Sequence, residues 1–445
     1  MKKVLILGAG MVANPIIQYL LNSDIKVTVA TQFKTDAEKL IAGHKNGTSI
    51  AWTADDESTL SKLVADNDIT VSLLPYGFHL MVAKLCIEHK KNMVTTSYVK
   101  KEMKELHDEA KKAGVIILNE LGVDPGIDHM SAMRIIENVH EKGGQIEEFY
   151  SICGALVAPE VEKNPFNYKF TWAPKGVVMA GNNDGKYLLK GKEVYVDTEN
   201  LFKNPIKIDF PEIGELEVYP NRDSLSYIDL YGIPETKTIY RGTFRYQKWC
   251  EVIDAIKALN LLNNDKINLN GKTYAEFMAK MIGTDNSQNL KQKVADYLEV
   301  SINSNPIIAI EWLGLFEDKL IGCEENSAFE ITSDLMIDKM MIGKEERDMV
   351  VMQHTFVASY ENNKKEVIKS RLIDFGTLQT DTSVARTVAL PAAVAVKMLL
   401  EGKIKATGVH IPVIPEIYHP ILDSLEELNI KMIEEYGLPL SENIQ

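Results

Sequence analysis

The chain has 445 residues, 45% of them hydrophobic and 25% charged, with a formal net charge of −14. That length exceeds one simple core, so two or three domains of ordinary globular composition are expected. The negative charge argues against nucleic acid or an anionic membrane surface as a main partner, and obliges any anionic ligand to find a local basic pocket. No run of about 18 or more apolar residues is apparent, so no membrane span is expected. Lys2-Lys3 ahead of an apolar run imitates a secretory signal, but a glycine turn interrupts it and no small-residue cleavage site follows. Cys86, Cys153, Cys250 and Cys323 are widely spaced with no C-x-x-C pair, which suits a reducing cytoplasm and gives no zinc signature.

In chain order, Val4-Leu5-Ile6-Leu7 reads as a buried strand, Gly8-Ala9-Gly10-Met11-Val12-Ala13 as a tight turn, Pro15 to Leu21 as an apolar helix and Lys26 to Ala30 as a second strand. Strand, glycine turn, helix and strand form the context that makes a weak glycine pattern a dinucleotide-binding signal. Gly8 allows the turn, Gly10 lets the backbone approach a pyrophosphate, and Ala13 replaces a third glycine at the helix–strand contact. The helix then offers free N–H groups and its positive dipole end to the phosphates. The bland alternative, glycines that serve packing alone, is disfavoured because the surrounding unit is complete.

Strands at Thr70–Pro75, Asn92–Tyr98 and Gly114–Asn119, with an amphipathic helix over Lys101–Ala113, continue the alternation to about residue 123. This predicts an α/β protein that opens with a Rossmann-type doubly wound parallel sheet, its ligands beyond the strand C-termini. Loops at Pro75-Tyr76-Gly77, Thr96-Ser97-Tyr98 and Glu120–Asp128 are expected to converge there. From about residue 145 the texture changes, with strands at Glu148–Cys153, Val194–Val196, Leu216–Tyr219 and Thr238–Tyr240. Helical spacing follows over Trp249–Leu262, Thr273–Ile282, Gln288–Tyr297, Ile307–Phe316 and Ala328–Met341. Asp348–Tyr360 and Lys365–Asp374 read as a hairpin joined by Glu361-Asn362-Asn363-Lys364, and apolar Pro391–Leu400 is expected to pack back on the first domain. The expected division is residues 1–125 (with about 385–405) as the dinucleotide-binding domain, 126–248 with 346–384 as a second mixed α/β domain, and 249–345 as a helical insert.

The segment Asn119 to Met130 leaves a buried strand through two glycines and a proline and enters a helix expected to be capped by Asp128. Glu120, Asp124 and Asp128 bring three carboxylates to the mouth of the cofactor crevice, a source of acid–base chemistry. For Glu120 and Asp128 a structural role is favoured; for Asp124, at the loop apex, a functional one.

Five blocks then occur in register: Thr95–Val99, Asn119–His129, Asn164–Trp172, Tyr219–Ser224 and Arg241–Gln247. With them the chain resembles the glutamate-forming saccharopine dehydrogenases, also called saccharopine reductases, of the aminoadipate route of lysine metabolism. The resemblance covers nearly the whole length, including the helical insert and the segment from Pro391 to Gly402. It implies reductive amination by hydride transfer at a C–N bond, joining L-glutamate to aminoadipate semialdehyde through an imine, with no metal and no nucleic-acid or membrane partner. It implies a homodimer formed through the middle domain. Saccharopine carries three carboxylates, and bidentate guanidinium pairs suit them.

By that comparison Arg222 and Arg245 take carboxylates, Thr243 and Phe244 add neighbouring contacts, and Ser97 and Tyr98 contact substrate and cofactor. Asp124, Tyr98 and Cys153 are the proton-transfer candidates in that order, although a free cysteine is more commonly a small buried hydrophobe. The cofactor set is Gly8, Ala9, Gly10, Met11, Val12, Thr31, Gln32, Phe33, Leu74, Thr96, Ser97, Val123, Asp124 and Pro125. Thr31-Gln32-Phe33 lacks the acid that binds the ribose of NAD, which favours NADP. The arginine that fungal members carry for the 2′-phosphate is absent at Gln32, and Lys34 is the nearby substitute; NAD remains open. Two other readings are a carboxynorspermidine dehydrogenase-like imine reductase, which has no need of both arginines, and a catalytically silent dinucleotide sensor, which has no need of the full polar set.

Overall fold

A computed structural model describes residues 1–361 and 364–444. In chain order the first elements are β1 (Lys3–Leu7), α1 (Ala13–Leu21), β2 (Lys26–Thr31), α2 (Lys34–Ile41), β3 (Gly47–Ala51), α3 (Glu57–Asp66), β4 (Ile69–Ser72), α4 (His79–Glu88), β5 (Asn92–Thr95), α5 (Lys101–Lys104), α6 (His107–Ala113), β6 (Ile116–Leu118) and α7 (Ile127–Glu141). Next come β7 (Gln145–Val157), α8 (Pro174–Ala180), β8 (Gly185–Leu189), β9 (Lys192–Val196), β10 (Ile206–Phe210), β11 (Gly214–Pro220), α9 (Ser226–Tyr231), β12 (Thr238–Tyr246) and α10 (Trp249–Ala258). The helical stretch holds β13 (Lys266–Asn268), α11 (Tyr274–Met281), α12 (Leu290–Tyr297), α13 (Asn305–Leu313), β14 (Glu325–Ser327) and α14 (Ala328–Met340). The chain closes with β15 (Asp348–Ser359), β16 (Lys365–Phe375), α15 (Ser383–Leu400), β17 (Gly408–His410), α16 (Pro415–Glu427) and β18 (Ile433–Leu438). Two compact units result, Met1–Ile146 with Ala358–Leu438, and Glu147–Val357 with Pro439–Gln445.

In the first unit a seven-stranded parallel sheet runs β17-β6-β5-β4-β1-β2-β3. Apart from β17 this is the dinucleotide-fold order, whose reversal lies between β1 and β4. Val4 to Leu7 are fully buried because helices cover both faces of the sheet. One face packs Leu5, Leu7, Val82, Cys86, Met93 and Ile117 into a continuous core. Helix α15 lies along α1. Helix α15 is long and apolar enough to cross a membrane by length and composition, but it carries Arg386 and Lys397, and 78% of its span is buried inside the protein, as in the core helix of a globular fold. The helix expected over Lys101–Ala113 is broken at Glu105-Leu106 into α5 and α6. The loop expected to join β15 to β16 includes Asn362 and Asn363, which lie outside the described residues; beside them Tyr360 N–H bonds to the Lys364 carbonyl.

In the second unit the strands run β10-β11-β12-β7-β15, with β8 paired to β12 and to β9. Strand β12 is longer than the sequence predicts, continuing from Tyr240 through Tyr246. It runs antiparallel to β11 and parallel to β7, so Thr243 stands beside both Tyr219 and Cys153, and Arg245 beside Glu217. The helices gather around a separate core that includes Phe166, Tyr168, Trp249, Phe277, Phe329 and Met336. Thr273 and Glu276 form a capping box at the start of α11.

The loop from β6 to α7 is fixed by glycine. Gly126 has φ +147°, and a side chain there would run into the Gly122 backbone, whose N–H bonds to the Pro125 carbonyl at 2.9 Å. The Asp124–Pro125 peptide is cis. Gly126→Ala is therefore expected to cost at least about 3 kcal/mol, read from the denaturation midpoint, because it adds backbone strain to a steric clash. The expected cap at Asp128 is also corrected. Gly126 occupies the cap position, and Asp128 sits in the first turn of α7, where its Oδ1 accepts the Gly126 N–H at 2.6 Å.

Candidate active site

The first unit presents the C-terminal ends of β1, β4, β5 and β6 as neighbours on one sheet edge. Gly8 leaves β1 with φ +105°, its N–H on the Ala30 carbonyl at 2.9 Å, and a side chain there would press on the Leu73 carbonyl at 3.2 Å. A Cβ on Gly10 would meet nothing within 4 Å, so the space over its backbone is open. Ala9, Met11 and Val12 complete the turn, Met11 being exposed. Helix α1 has no side-chain cap and no acid in its first turn, so its leading N–H groups are left to an anion. This open cradle against an uncapped helix fits a pyrophosphate. Gly10→Ala is accordingly expected to leave the thermal midpoint nearly unchanged, yet to weaken NADPH binding at least ~10-fold by titration, since a methyl group there occupies ligand space alone.

Thr31 ends β2, and Gln32 and Phe33 follow it exposed. No carboxylate stands at these positions to repel a ribose 2′-phosphate. Lys34 Nζ pairs with Glu38 Oε1 at 3.3 Å on the surface of α2, a weak contact that a phosphate displaces at little cost. Leu74 follows β4, Thr96 and Ser97 follow β5, and Val123, Asp124 and Pro125 follow β6, all on the edge that carries the glycine turn.

Tyr98 OH donates to Asp124 Oδ1 at 3.0 Å, which joins the loop after β5 to the loop after β6. Tyr98 is 38% exposed and lines a cavity of about 310 Å³ with Tyr76, His79, Lys100 and Asn119. Glu120, by contrast, is buried and committed: Oε1 accepts the Val99 N–H at 2.8 Å and Oε2 meets His129 Nε2 at 2.7 Å. It fastens the loop, while Asp124 remains partly accessible.

In the second unit, alternation along β12 places Thr243 and Arg245 on one face with Tyr219 and Cys153, and Phe244 on the other. Phe244 is fully buried edge-on against Phe210 at 5.6 Å, and what it offers Arg245 is its carbonyl, bonded to Nη1 at 2.8 Å. Cys153 is half-buried and in no disulfide. Arg222 is exposed in the turn after β11, with φ +54° and its carbonyl bonded by Lys186 N–H at 2.8 Å.

Arg245 is buried, and its guanidinium carbon lies 4.9 Å from the Tyr168 ring, 5.3 Å from Trp249 and 5.7 Å from Tyr219. Burial raises the Tyr168 and Tyr219 phenols, while the adjacent guanidinium pulls both down. Ring faces favour the cation without neutralising it. Among the described residues, Arg245 Nε and Trp249 Nε1 have no hydrogen-bond acceptor. A buried charge with unsatisfied donors beside it is what a carboxylate-bearing ligand completes.

Sequence reasoning missed two parts of this arrangement. The aromatic cage was present in the quoted blocks, where Tyr168 and Tyr219 flank the expected ligands, but periodicity alone reads such residues as core. His79 drew no reading from the sequence, because a lone histidine carries no pattern; its hydroxyl partners Ser72 and Ser97 are visible only in three dimensions.

Two family models match the chain: the saccharopine dehydrogenase NADP binding domain over residues 4–118, and the saccharopine dehydrogenase C-terminal domain over residues 122–430. The chain is 38% identical to the saccharopine dehydrogenase [NADP(+), L-glutamate-forming] of Saccharomyces cerevisiae, over 99% of each. It is 37% identical to the mitochondrial alpha-aminoadipic semialdehyde synthase of Bos taurus, over 96% of this chain and 47% of that one, so it spans about half the length of the synthase. The solved structure of apo saccharopine dehydrogenase (L-Glu forming) from Saccharomyces cerevisiae superposes with a TM-score of 0.91 at 36% identity, covering 98% of this chain and all of that one. With both domains matched end to end and the cofactor cradle intact, the chain belongs to the saccharopine dehydrogenase family of NADP-dependent oxidoreductases.

Proposed function

We propose that the chain interconverts saccharopine with L-glutamate and aminoadipate semialdehyde in lysine metabolism. The observation that carries this reading is Arg245, a buried guanidinium held by rings instead of by a carboxylate, in a chain of this family. Arg245 takes one substrate carboxylate in its cage, and exposed Arg222 takes another, each as a two-pronged donor. Thr243 and Cys153, adjacent in register, supply polar contacts to the substrate. Tyr98 and Asp124 act at the reacting nitrogen: the carboxylate takes or returns its proton while the phenol, donating to Oδ1, holds the carboxylate in place.

In the synthetic direction the glutamate amine attacks the aldehyde, water leaves, and the C=N bond is reduced. In the other direction saccharopine is oxidised and the imine is hydrolysed. Bound NADP accepts the hydride in oxidation and, as NADPH, supplies it in reduction. Gly8 to Val12 and the start of α1 hold its pyrophosphate, with Thr31, Gln32, Phe33 and Lys34 at the ribose phosphate. Leu74, Thr96, Ser97, Val123 and Pro125 border the nicotinamide end.

We also propose a functional division into residues 1–125 for the cofactor, 126–248 with 346–384 for substrate and dimerisation, and 249–345 as a helical subdomain, in a cytoplasmic homodimer. The four free cysteines support a reducing compartment. The test is the reduced-nicotinamide absorbance of purified protein mixed with saccharopine and NADP, and with NAD in parallel, followed by the reverse reaction. An NADP-dependent signal is expected in both directions, and no signal with either cofactor defeats the reading.

A further inference from the structure

At the ends of β4 and β5 a group of hydroxyls surrounds His79. Its Nδ1 meets Ser72 Oγ at 2.8 Å, and its Nε2 meets Ser97 Oγ at 2.8 Å and Thr95 Oγ1 at 3.4 Å. Ser72, Thr95 and His79 are buried, and Ser97 is half-exposed. Among the described residues no carboxylate or cation bonds to the ring, and burial takes its pKa from 6.5 down to about 4, so the imidazole is neutral at physiological pH. A neutral ring carries its hydrogen on one nitrogen only.

The surrounding bonds decide which one. Thr95 spends its single hydroxyl proton on the Ser72 carbonyl, at 2.9 Å, so Thr95 Oγ1 faces the ring and the Ser97 N–H as an acceptor. The Nε2–H tautomer, with Nδ1 receiving the hydroxyl proton of Ser72, satisfies all three contacts, whereas the Nδ1–H tautomer sets Nε2 and Thr95 Oγ1 against each other as two acceptors at 3.4 Å. Ser97 Oγ accepts from Nε2–H, which leaves its own proton uncommitted within the network. We infer that His79 is a positioning residue that fixes Ser97 as a hydrogen-bond donor to a ligand oxygen, either the nicotinamide carboxamide or a substrate carboxylate. This rests on the reading of Ser97 as part of the cofactor and substrate site. It adds a residue and a direction for the proton that the motif does not contain.

The direct test is ¹⁵N spectroscopy of the whole protein labelled at its nine histidines, with the His79 signals assigned by their loss in His79→Gln. The Nε2–H form is expected, and the Nδ1–H form overturns the inference. A double-mutant cycle then joins His79→Leu and Ser97→Ala, with NADPH dissociation constants from fluorescence titration and KM and kcat for saccharopine. Each single change is expected to weaken the same ligand about 10-fold, the double no further than either alone, and His79→Gln, whose amide replaces Nε2–H, to recover most of the loss. NADPH affinity moving alone assigns the carboxamide, and KM moving alone assigns the carboxylate. If Ser97→Ala alters neither ligand, Ser97 is outside the site and the inference falls with that reading. If Ser97→Ala weakens a ligand while His79→Leu does not, or the effects add, the inference alone is overturned.

Discussion

Asp124→Asn is expected to lower kcat by about 10²–10⁴-fold in both directions, the range over which a positioned acid–base group contributes, with NADPH affinity and thermal midpoint little changed. The asparagine carbonyl still accepts from Tyr98 OH, now 3.0 Å from Oδ1, so the two loops stay joined and only the capacity to take a proton is removed. Tyr98→Phe leaves the carboxylate but frees it to turn, so its effect on kcat is expected to be smaller. Steady-state kinetics at saturating substrate, beside a melting curve of each variant, separates the two. Full turnover in Asp124→Asn removes this carboxylate from proton transfer.

Arg245→Ala is expected to raise KM for saccharopine and lower kcat/KM by an amount equivalent to about 2–5 kcal/mol, because a desolvated carboxylate loses its partner. Two effects on folding oppose each other. The change empties space between Tyr168, Tyr219 and Trp249 and forfeits their attraction for the cation. It also removes a buried Nε–H that has no acceptor among the described residues. Stability therefore changes less than binding does. Arg245→Lys keeps the charge but not the planar fork, and is expected to recover only part of the loss. Comparison of KM with the urea midpoint for both variants tests this, and an unchanged KM in Arg245→Ala contradicts the assignment.

The cofactor half was readable because its chemistry is local. Gly8 and Gly10 sit between an apolar strand and an apolar helix, and each needs its glycine for a reason that neighbouring residues reveal. The β12 strand was read as ending at Tyr240, since Arg241, Gly242 and Arg245 break the expected alternation. Pairing with β11 on one side and β7 on the other outweighs those propensities, and residues 241–246 continue the strand. The separation of Thr243 and Arg245 from Phe244 onto opposite faces follows from that extension. Asp128 carries a capping side chain, but the cap position fell to Gly126, because the turn at Gly122 tolerates no Cβ there. His79 needed contacts with Ser72, Thr95 and Ser97, which no sequence window contains.

The last consequence concerns synthesis. The parallel sheet of the first unit is completed by residues 408–410, which pair with 116–118, and the apolar side of α1 is sheltered by α15. A ribosome that has released residues 1–146 has thus produced the cofactor turn but neither the outer strand nor the covering helix. Until nearly the whole polypeptide emerges, β6 is a bare edge able to recruit neighbouring chains. A fragment truncated there is expected to aggregate, and coexpressed residues 358–438 are the segment that should keep it in solution.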